Sequence, residues 1–65
     1  MDTWERARYL VAARELSLDE LWLLYFSVGG TAGLLALEAF IYGVELLSPF
    51  DLLLIECALH DAPAP

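Results

Sequence analysis

Apolar residues recur along this chain at helical intervals, and short runs of turn-forming residues cut them into four blocks. Trp4, Ala7, Tyr9, Leu10, Val11 and Ala13 make a broad apolar stripe, with Arg6, Arg8, Arg14 and Glu15 on the remaining face. That pattern predicts an amphipathic helix over about residues 3–15. Asp2 or Thr3 caps it, and Glu5 sits three residues after Asp2, within reach of the cap. Ser17-Leu18-Asp19-Glu20 has the form of a capping box, flanked by Leu16 and Leu21 at the staple positions. It opens a second helix, about 18–28, which Gly29-Gly30 ends because glycine readily turns left-handed after a C-terminus. Thr31 is the expected cap of a third helix, 32–42, closed by Gly43. Ser48-Pro49, with Asp51 in the first turn, starts a fourth over 49–60. Residues 61–65 read as a disordered Pro/Ala tail. No period-2 alternation survives, so the expectation is one all-α domain over 1–60, a compact bundle of four short helices.

The two middle helices and the last are apolar nearly all round, without an ordinary wet face. In the fourth, Leu52, Leu53, Leu54 and Ile55 cover almost every direction, and the third carries Glu38 as its single charge. Composition sharpens the point, since 60% of the 65 residues are hydrophobic. A domain of about 60 residues buries only about 60% of the surface its unfolded chain exposes. So much apolar surface cannot all be hidden in one copy, and large exposed patches mark interfaces. The bundle is therefore expected to be completed by homo-oligomerisation, most simply as a homodimer, or by docking on another protein. Trp22, Leu23, Phe26, Phe40, Phe50, Leu53 and Leu54 are the expected interface residues.

Charge and cysteine content narrow the function further. Ten acids oppose three arginines, there is no lysine, and the net charge is −7. The segment 18–42 has a helix-turn-helix outline, but its third helix offers no Arg, Lys, Asn or Gln to bases and phosphates. Nucleic acid is not an expected partner. A single cysteine, Cys57, excludes a disulfide framework. Glu56, Cys57 and His60 lie within one helical turn, the spacing of a zinc half-site, yet no further His or Cys exists to complete it. A small cysteine beside a surface histidine near a helix C-terminus is the plainer reading, and no metal, cofactor or enzymatic activity is expected.

Two further readings compete with the interaction module. From Leu21 to Leu37 no charged residue occurs, and extension to Val44 admits only Glu38. That approaches the ~20 apolar residues that span a bilayer. Gly29 and Gly33 have the spacing that lets membrane helices approach closely, and all three arginines precede the segment. A membrane-associated helix over about 21–44 is therefore the alternative. The glycine-threonine break and Glu38 inside the stretch count against it. The amphipathic N-terminus is not a signal peptide, so the cytoplasm is the expected compartment. In the third reading, Glu38 sits in an apolar pocket of a ligand-binding bundle, with Tyr42 and His60 as further ligand-site candidates.

The run Leu18-Asp19-Glu20-Leu21-Trp22, followed by Tyr25-Phe26, Gly29-Gly30-Thr31-Ala32, Leu37-Glu38-Ala39-Phe40 and Gly43, resembles a group of short actinobacterial helical proteins. Their shared core is L-x-E-L-W-x-x-Y-F-x-x-G-G-T, and the likeness covers about residues 16–60. The resemblance implies a helical fold; the group has no established activity, so it assigns no functional residue. Leu24, Ala36 and Leu52–Leu54 are more apolar than that group's pattern, as a specialised or engineered interface would be.

Overall fold

The computed structural model describes residues 2–61, with the backbone alone for Asp61. Four helices follow in order: α1 (Thr3–Ala12), α2 (Leu18–Ser27), α3 (Leu34–Ile41) and α4 (Pro49–Asp61). No strand occurs among the described residues. The all-α bundle read from the sequence is the observed fold. The expected Pro/Ala tail lies outside the described residues except for Asp61, whose backbone continues α4.

The caps account for most boundaries. Asp2 accepts the Glu5 amide at 2.8 Å and starts α1. Ser17 and Glu20 form the complete reciprocal box at α2. Ser48 accepts the Asp51 amide at 3.2 Å and starts α4 at Pro49. The ends of the first three helices share one device, in which an amide bonds back five residues while the preceding one bonds back three. Glu15 to Leu10 with Arg14 to Val11, Gly30 to Tyr25 with Gly29 to Phe26, and Val44 to Ala39 with Gly43 to Phe40 are the three instances. Gly29 and Gly43 take the left-handed position at φ 102° and 76°, as their residue type favours.

Two boundaries differ from expectation. α1 stops at Ala12 rather than near residue 15, because Arg14 occupies the left-handed position at φ 59° and turns the chain. That turn brings Leu16 into the core at 2% exposure. α3 begins at Leu34 with Gly33 as its N-cap, not at Ala32 after Thr31. Both backbone groups of Ala32 have tertiary partners instead. Its amide donates to the Tyr25 hydroxyl at 2.9 Å, and its carbonyl accepts the Trp22 indole N–H at 3.0 Å.

α2 packs most extensively against α4 and next against α3, while α1 rests on both α3 and α4. Leu16, Leu21, Tyr25, Leu37, Phe40 and Ile55 are the largest side chains in the shared core. The segment 21–44 is thus two helices joined by a turn. Among the described residues, no helix is long and apolar enough to cross a membrane.

Candidate interaction surface

A helix packed into a bundle normally turns its polar side outward, but α4 has little polarity to turn. Ile55, Ala58 and Leu59 face the core, while Phe50, Leu53, Glu56, Cys57 and His60 face out. Positions 50, 53, 57 and 60 recur at three and four residues, so Phe50, Leu53 and Cys57 form an outward apolar stripe. Phe50 is 67% exposed and Leu53 60%. On α2, Leu23 and Phe26 also point outward, and Phe26 stacks on the half-buried Trp22 at 5.3 Å between ring centroids. Leu54 is half-buried.

Phe40 is the exception among the expected interface residues. It is 2% exposed, a central side chain of the core, and presents nothing to the surface of a single copy. The periodicity of α3 does not separate its two apolar sides, so the direction of Phe40 is decided by the packing of α1 and α2 against it.

Glu38 is exposed, so no apolar pocket encloses it. Tyr42 follows one turn later and is exposed as well. His60 lies on α4, so the three ligand-site candidates do not converge. His60 instead shares a shallow depression of about 380 Å³ with Leu53, Glu56 and Cys57. Among the described residues, no group of three or more His, Cys, Asp or Glu side chains is arranged to hold a metal ion.

The structure adds features that spacing did not reveal. Leu46, in the connection before α4, is 93% exposed, and Leu35 and Val44 are also largely in water. Leu46 is not in a helix, so no periodic signal bears on its direction. A second, narrower groove of about 290 Å³ runs between α1 and the end of α3, lined by Arg8, Val11, Ala12, Ile41 and Tyr42. The Arg8 guanidinium lies 5.1 Å from the centre of the Trp4 ring, a cation–π contact that restrains it beside this groove. The Trp4 indole in turn donates to the Phe40 carbonyl at 2.8 Å, which fixes α1 to α3.

Among the described residues, one side-chain hydroxyl is fully interior. The Tyr25 hydroxyl donates to Asp51 Oδ1 at 2.8 Å while accepting the Ala32 amide, and Ser48 donates to the other Asp51 oxygen at 2.9 Å. Burial raises the phenol above its ordinary pKa; the Ala32 amide opposes the rise and the Asp51 carboxylate adds to it. The network joins α2, the α2–α3 turn and the start of α4. Every buried side-chain polar atom among the described residues has a partner. Compared with models of protein families, with characterised proteins and with solved structures, the chain matches none of them.

Proposed function

We propose that this protein is a non-enzymatic self-association module, a small regulator or adaptor whose working surface centres on the outward face of α4. The observation that carries the reading is the stripe Phe50, Leu53 and Cys57 on the side of α4 turned away from the core. Contiguous apolar surface of this kind is costly in water and is relieved by association. A second copy of the chain is the partner.

Light scattering after size-exclusion chromatography in detergent-free buffer tests it. The expected mass is a small multiple of the chain mass of 7.2 kDa. Leu53→Asp places a charge on the stripe and should reduce the mass to that of one chain while helical content is retained, since Leu53 is exposed in the single copy. A wild-type protein that stays monomeric at every concentration would overturn the proposal.

A further inference from the structure

We infer that the self-association is head-to-tail: the outward face of α4 on one copy seats in the groove between α1 and α3 of the next, with Glu56 meeting Arg8. This rests on the self-association proposed above and specifies its geometry. The first observation is charge. All three arginines lie in residues 6–14, and beyond Glu15 the chain has no lysine or arginine. The α4 face carries a carboxylate, Glu56, among Leu53 and Cys57, and His60 completes the depression there. Two such faces brought together pair no lysine or arginine with either Glu56, because α4 carries none, so the contact gains nothing from charge complementarity. The groove between α1 and α3 offers the opposite sign, a guanidinium over apolar Val11, Ala12 and Ile41.

The second observation is placement. α1 packs on α3 and α4, and α2 packs on the same two helices, so the order around the bundle is α1, α3, α2, α4. α4 is diagonal to α3 in that order, and its stripe and the α1–α3 groove are built from different helices. Stripe and groove are different patches on different helices, so a contact of one with the other is heterologous, and such contacts extend into chains or close into rings. The surface suffices for two contacts per copy. A specific interface takes about 800 Å² from each partner, and one copy exposes 4360 Å².

Charge reversal in solution tests the pairing, with mass read by sedimentation equilibrium over a concentration series. Arg8→Glu and Glu56→Arg should each weaken association about tenfold or more. An equimolar mixture of the two variants should restore it, because each then offers the other complementary charges. Arg6→Glu changes the net charge as much as Arg8→Glu but lies outside the groove, and should associate like the wild type. Circular dichroism confirms that each variant is folded. Single variants that associate like the wild type, or a mixture that stays dissociated, would overturn the head-to-tail pairing while leaving self-association in place. A wild-type mass fixed at two chains across the series would also overturn it. A wild-type monomer throughout would remove both.

Discussion

Tyr25 shows how much a single side chain decides here. Its ring fills the centre of the core, and its hydroxyl serves the Ala32 amide and the Asp51 carboxylate at once. Tyr25→Phe keeps the ring but strands a partly buried amide and carboxylate. The expected cost is about 1–3 kcal/mol in urea unfolding. The raised pKa also sets a pH dependence with a definite sign. Its contribution to stability is complete below the ordinary phenol value of about 10 and is lost as pH climbs through the higher folded value. Urea midpoints measured across alkaline pH should fall in the wild type and fall less in Tyr25→Phe; equal slopes would refute the role. Gly30 belongs to the same unit, because a Cβ there would overlap the Tyr25 ring. Gly30→Ala should therefore reach the upper end of the roughly 1–3 kcal/mol that overpacking costs, as a lowered urea midpoint.

The three repeated C-terminal turns offer a clean comparison among elements. Two place glycine in the left-handed position and the third places Arg14 there. A left-handed conformation costs an L-residue about 1–2 kcal/mol, while glycine loses roughly 0.5–1 kcal/mol of entropy on folding. Arg14→Gly should accordingly stabilise the protein by up to about 1 kcal/mol, a rise of a few degrees in thermal midpoint for a domain this small. A lower midpoint would mean that the Arg14 side chain contributes more than its strained backbone costs. At the other end of a helix, Ser48 both caps α4 and steadies the Asp51 carboxylate that Tyr25 uses. Ser48→Ala should cost about 1–2 kcal/mol, and in a double-mutant cycle with Tyr25→Phe the two losses should fall short of additivity.

For the whole molecule, the fold is as compact as its length predicts while large apolar side chains stand on its surface. The radius of gyration is 10.3 Å, against about 10.7 Å expected for a chain of this length. The exposed Phe50, Leu53 and Leu46 therefore belong to a chain of ordinary compactness. If copies associate through such residues, folding and assembly are linked by mass action. The thermal midpoint of the wild type should rise with protein concentration, by about 2.7 kcal/mol of added stability once the free concentration reaches a hundred times Kd. In Leu53→Asp the midpoint should be independent of concentration. A concentration-independent wild type would contradict the proposed module.

Local sequence by itself determined the helical class, the helix starts at Ser17 and Ser48, the first start to within Asp2 or Thr3, and the glycine ends, because caps and turns are made by residues a few positions apart. It also indicated more apolar surface than one copy can hide. Only the tertiary structure decided which apolar side of α3 and α4 faces the core, sending Phe40 inward and Leu53 outward. A helix that is apolar all round carries no periodic mark of its inner face. Packing also moved the start of α3 to Leu34 and gave the Tyr25 hydroxyl to Asp51, since those hydrogen bonds join residues that only the folded chain brings together.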